Sequence, residues 1–129
     1  MAEPIVFISH FKVKAGKLEG FKRAFQETIK LLEAEKPRTL AQIAYVNDSG
    51  TQLTIIHLFG DADAMDIHIQ GAEQRSNAAY EFIEPDGFEI YGTPSNQVVT
   101  SMRGEAAVAG VSLNIQPTHL AGFIRPMVG

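Results

Sequence analysis

The sequence has 129 residues, 45% of them hydrophobic and 20% charged, with a net charge of −4 and neither cysteine nor tryptophan. That length fits one domain with a core of its own. The missing cysteines exclude disulfides, thiolate metal sites and a cysteine nucleophile, and the acidic balance argues against nucleic-acid binding, which normally needs a basic face.

No stretch approaches the ~20 apolar residues of a membrane span. The opening Met1-Ala2-Glu3-Pro4 carries no basic segment and the apolar run from Ile5 to Ile8 is short. A secretory leader is therefore not expected, and the cytoplasm is the expected location. The early lysines (Lys12, Lys14, Lys17, Lys22) are interleaved with acids and read as a solvated face.

Residues 5–13 are rich in β-branched and aromatic types, with Ile5, Phe7, Phe11 and Val13 on one alternating face and Val6 and Ile8 on the other. A strand apolar on both faces is covered on both and sits inside a sheet. Ala15-Gly16-Lys17 is a turn. Leu18, Phe21, Phe25, Ile29 and Leu32 then recur at spacings of three and four, which predicts an amphipathic helix over 17–35, ended by Pro37. Residues 39–47 and 51–59 alternate again around Asn47-Asp48-Ser49-Gly50, which reads as a β-hairpin. A second helix starts after Gly60, capped by Asp61 or Asp63, with Gly71 weakening or breaking it and a further helical piece over about 73–83. Pro85-Asp86-Gly87 reads as a turn and Phe88–Tyr91 as a fourth strand.

The order β-α-β-β-α-β is the ferredoxin-like split βαβ unit. It predicts an α+β fold: a four-stranded antiparallel sheet, order 4-1-3-2, with both helices on one face. The chain is expected to be one domain, core 4–92 and extension 93–129. In the extension Ser95 caps a short helix that stops at Gly104, residues 105–110 read as a loop, and Val111–Ile115 as a strand. The uncovered sheet face is still apolar, and a second copy is its simplest cover, although the extension is an alternative.

None of the strong catalytic motifs occurs. The candidate acid–base residues are His10, His57 and His68, each with the alternative of a histidine satisfied by local structure. His10 and His57 lie on strands expected to be neighbours, and whether they share a face depends on register. A metal site would need a third ligand and no carboxylate is placed for it. Tyr45, Phe59, Phe7 and Arg125 are candidates for substrate contact. Packing is the alternative for the aromatics, and a surface ion pair for Arg125.

The run Phe11-Lys-Val-Lys-Ala-Gly-Lys17 before a helix with Phe21 and Phe25, then the hairpin, then Asp63-Ala-Met-Asp-Ile-His68, resembles the antibiotic-biosynthesis-monooxygenase-type domains of the dimeric α/β-barrel superfamily, over about residues 4–92. That resemblance implies a homodimer and a cofactor-independent monooxygenase for a small quinol- or polyketide-like aromatic. It carries the family's helix histidine onto His68. The haem-degrading branch uses an Asn/Trp/His set, whereas this chain has no tryptophan and offers Ser9 and His10 where asparagine is expected. Haem is therefore not expected, and the lack of a third ligand argues against a metal. The other reading is a non-catalytic small-ligand-binding or assembly domain, told apart by whether a cavity of a few hundred Å³ exists with polar groups converging in it.

Overall fold

A computed structural model describes residues 3–125. The elements run β1 (Ile5–Val13), α1 (Leu18–Glu35), β2 (Thr39–Val46), β3 (Gln52–Phe59), α2 (Ala62–Ile69), α3 (Ala72–Ala79), β4 (Ile83–Tyr91), α4 (Asn96–Ala109) and β5 (Leu113–Gln116). The sheet order is β2-β3-β1-β4-β5. The first four strands pair antiparallel, and β5 joins β4 in parallel. The extension thus adds a fifth strand, and the sheet is mixed rather than wholly antiparallel. A parallel partner needs a crossover connection, and α4 supplies it.

β1 is the central strand, as its two apolar faces required. Ile5, Phe7, Ser9 and Phe11 are buried beneath the helices, while Val6, Ile8 and His10 on the outer face are half-buried. The helix-side core continues through Leu53, Ile55, Phe59, Phe88 and Ile90 on the neighbouring strands. α1 lays Phe21 and Leu32 on this layer. It approaches closely because Gly20 has no side chain, and a Cβ there would stand 2.8 Å from the Phe82 ring. Asp61 caps α2 by accepting from the Ala64 amide at 2.8 Å, and the same carboxylate receives a two-pronged contact from Arg38 at 2.8 and 2.9 Å.

Two segments differ from expectation. Pro85-Asp86-Gly87 does not turn the chain but lies inside β4. His10 faces Gly87 and Phe11 faces Pro85, so Asp86 is the extra residue of a bulge. β5 covers only Phe88–Tyr91, so β4 is still an edge at Pro85, where a missing N–H is tolerated.

The second segment is α4, which runs through Gly104 and ends at Gly110, whose φ is 69°. An interior glycine costs about 1 kcal/mol against alanine. The good helix formers Glu105, Ala106, Ala107 and Ala109 follow it, and burial of Val98, Met102 and Ala106 offsets the cost. The residues expected to form a loop are therefore the last turns of a helix, which places Glu105 on a rigid element.

Candidate active site

Between the helix-side face of the sheet and the helices lies a cavity of about 550 Å³. Phe7, Phe11, Phe21, Phe25 and Phe88 supply much of its wall. Polar side chains line it from β1, α1, β2, β3, α2, α3 and α4 and from the end of α3, and their positions follow from strand register and helix phase.

His57 lies opposite Phe7 on one side and Gln42 on the other. Its Nδ1 stands 3.1 Å from the Phe7 carbonyl oxygen. A carbonyl only accepts, so Nδ1 carries the hydrogen and Nε2 keeps its lone pair. The ring stacks on Phe7 at 4.9 Å and 22°.

His68 points inward from α2 and is buried. Its Nδ1 pairs with the Thr39 hydroxyl at 2.7 Å, and its ring meets His57 edge-on with centroids 5.3 Å apart. Burial pushes His57 down to about 4, helped by the positive charge of Arg75. Burial also pushes His68 down to about 3, with His57, Arg75 and Lys36 adding to the effect. Both imidazoles are therefore neutral at pH 7.

Arg75, on α3, donates to the carbonyls of His68 at 2.7 Å and Gln70 at 3.1 Å, which holds a guanidinium on the cavity wall. Gln42, from β2, also lines the cavity, and its Oε1 is buried without a hydrogen-bond partner among the described residues. Leaving such an acceptor unmet costs about 1–3 kcal/mol. Tyr80, at the end of α3, donates to Glu105 Oε1 at 2.6 Å, and both residues line the cavity. Burial, and then the Glu105 carboxylate, raise the Tyr80 phenol above its ordinary range, so it stays a donor.

Of the residues singled out from sequence, His57, His68 and Phe7 meet in this cavity. His10 does not join them. It faces Thr54, three residues from His57 along β3, and an odd spacing puts the two strand histidines on opposite faces. There His10 Nδ1 is 3.2 Å from the Thr54 hydroxyl and Nε2 is 2.5 Å from Glu89, which also accepts from the Tyr91 hydroxyl. Tyr45 is on that outer face too and is exposed. Phe59 is fully buried behind the histidines, with its ring centroid 5.1 Å from that of His68. Arg125 is exposed beyond the last strand, over the Phe123 ring at 5.0 Å. Neither Phe59 nor Arg125 lines the cavity.

Sequence reasoning missed Gln42, Arg75, Tyr80 and Glu105. For Gln42 a signal existed, since it is a polar side chain among apolar positions on the alternating set of Leu40, Ala44 and Val46. Among the described residues, no group of three or more His, Asp or Glu side chains is gathered as a metal ion would need. Among them also, no helix is long and apolar enough to cross a membrane.

No family model matches the sequence, and no curated protein matches it. Solved structures do. MupZ from Pseudomonas fluorescens is 20% identical with a TM-score of 0.72, over 98% of each chain. SnoaB, a cofactor-independent oxygenase from Streptomyces nogalater, is 17% identical with a TM-score of 0.60, over 74% of this chain and 97% of its own. A candidate antibiotic biosynthesis monooxygenase from Caulobacter crescentus is 17% identical with a TM-score of 0.61, over 69% of this chain and 88% of its own. At these identities the likeness is one of fold. The chain has the α+β fold of antibiotic-biosynthesis-monooxygenase-like proteins, and the likeness to MupZ takes in the extension as well.

Proposed function

We propose that this chain is a cofactor-independent monooxygenase for a small aromatic, quinol- or polyketide-like substrate. The observation that carries the reading is the aromatic-walled cavity of about 550 Å³ in which His57, His68, Gln42 and Arg75 converge. That size and polarity suit a ligand site. The fold shared with SnoaB agrees with it.

In this reading the substrate carries an acidic hydroxyl or methylene. Nε2 of His57 accepts its proton. Burial and Arg75 disfavour the imidazolium. A bound substrate anion supplies the missing counter-charge, so proton transfer is coupled to forming that anion. Arg75 favours the anion directly, and the vacant Gln42 Oε1 accepts from a second substrate donor. The carbanion then reacts with O₂ itself. A methylene becomes a carbonyl with one oxygen atom inserted, the other leaves as water, and the substrate supplies all the electrons. The proton held on His57 returns to the departing hydroxide. Enclosure protects the carbanion from water.

The test uses an oxygen electrode with a hydroxylated anthrone as probe. One O₂ consumed per quinone formed, without hydrogen peroxide, is expected. His57→Ala is expected to lower kcat/KM by about 10²–10⁴-fold with an unchanged circular dichroism spectrum. Stoichiometric binding of the aromatic without oxygen uptake would replace this reading with a non-catalytic binding domain. The lowered basicity of both histidines is the observation that favours that alternative.

The proposal includes a homodimer formed through the outer sheet face. Val6, Ile8, Ile43, Ile56 and Leu58 share that face, and Ile43 is 47% exposed. Soluble monomers rarely leave such a face uncovered. Light scattering is expected to give twice the chain mass of 14.1 kDa, and Ile43→Lys is expected to shift the mass toward one chain. A wild-type monomer at micromolar concentration would remove the dimer from the proposal.

A further inference from the structure

Titratable side chains face the cavity at the His57 end and at the Tyr80 end, and β1 fixes how far apart these ends are. His57 pairs across the sheet with Phe7, and Tyr80 packs on Phe11 with ring centroids 6.5 Å apart. Phe7 and Phe11 are four residues apart on one strand, so the two ends are separated by roughly 13 Å. The stretch between them is walled by aromatic rings, with the buried Ser9 between Phe7 and Phe11. At the first stand two neutral imidazoles and a guanidinium; at the second stands a carboxylate. The cavity is therefore electrically asymmetric along its length.

Glu105 is incompletely satisfied at its end. A carboxylate has about four acceptor positions on two oxygens. Its one hydrogen bond among the described residues comes from Tyr80 to Oε1, and it has no ion-pair partner among them. A half-buried carboxylate beside apolar walls gains by accepting a further donor. α4 holds it in place, with Ala106, the next residue, buried against the core. Tyr80 engages Oε1 alone, and Oε2 has no hydrogen-bond partner among the described residues.

We propose that Glu105 is a specificity-determining residue, accepting a hydrogen bond from a hydroxyl or amino group at the far end of an elongated aromatic substrate. The inference deepens the proposed function and rests on its claim that the cavity is the substrate site. It names the substrate class more narrowly: flat, long, acidic at the His57 and Arg75 end, and bearing a donor at the other. It also gives α4, outside the βαββαβ unit, a part in recognition.

The test compares two probes, a hydroxyanthraquinone with hydroxyls at both ends and its analogue lacking the distal hydroxyl. Their Kd values are measured by calorimetry on the full chain. The wild type is expected to prefer the first by about 10- to 100-fold, the usual worth of a hydrogen bond to a charged group. In Glu105→Leu that ratio is expected to collapse toward one, and in Glu105→Gln to fall partway. Tyr80→Phe, which frees the carboxylate from its positioning contact, is expected to reduce the ratio less than Glu105→Leu. Equal wild-type affinity for the two probes overturns the role of Glu105 and leaves the cavity as a ligand site. An undiminished preference in Glu105→Leu has the same meaning. Failure of both probes to bind overturns this inference together with the proposed function.

Discussion

Phe59→Ala is expected to lower the unfolding free energy by about 3–5 kcal/mol, more than any other single change discussed for this chain. Phe59 is 0% exposed and ends β3 in the middle of the helix-side core. Its ring stacks toward His57 at 6.1 Å and lies 5.1 Å from His68. Truncation removes the apolar transfer energy of the ring and leaves a void that the sheet and α2 can fill only partly. For a chain of this length the loss corresponds to a fall in Tm of roughly 10–20 °C. The same void frees both imidazoles to rock, so in the proposed oxygenase kcat is expected to fall with stability, whereas KM reports wall residues such as Phe7. Differential scanning calorimetry at pH 7 checks the first part. A Tm within a few degrees of wild type would mean that Phe59 is not the packed centre described.

That contrast between Phe59 and Phe7 shows what sequence reading can reach. Alternation put both rings on sheet faces, but alternation does not say which rings stand at a cavity and which lie behind it. That depends on where α1 and α3 lie over the sheet, and helix placement is set by contacts distant in sequence. The elements that were legible are those with strong local signals: the β1 run, the α1 stripe from Leu18 to Leu32, and the hairpin around Asn47–Gly50. The errors came where a local signal was overridden. Gly104 reads as a helix stop, yet Val98, Met102 and Ala106 bury one continuous face across it. Asp86 and Gly87 read as a turn, yet pairing with β1 keeps them in a strand. The first error hid Glu105 by assigning it to a loop. His57 and His68 were legible as candidates because imidazoles on apolar faces stand out. Their meeting was not, since it needs the β3 register and the α2 phase together.

The two histidines predict an acid sensitivity with a definite window. Burial holds His57 at about 4 and His68 at about 3, against 6.5 in the unfolded chain. Above pH 6.5 both rings are neutral in both states and their contribution to stability is complete. As pH falls below 6.5 the unfolded chain takes up protons that the folded chain refuses, so stability is lost. The loss continues until the pH passes the folded values, below which both states are protonated and it grows no further. Each histidine contributes at most about 1.4 kcal/mol per pH unit. Between pH 6 and pH 5 the two together are expected to remove about 2 kcal/mol. Glu89 does not blur this interval. Held low first by the Tyr91 hydrogen bond and then by His10, it loses its contribution only below the ordinary carboxylate value of 4.5. Urea unfolding at pH 7, 6 and 5 measures the slope. His57→Gln is expected to flatten it by about half, because the remaining step belongs to His68. A slope that is unchanged in His57→Gln, or a wild type equally stable at pH 7 and pH 5, would mean that these rings are not held neutral. They would then titrate in the fold as they do in the unfolded chain, and the cavity around them would be open to water rather than dry.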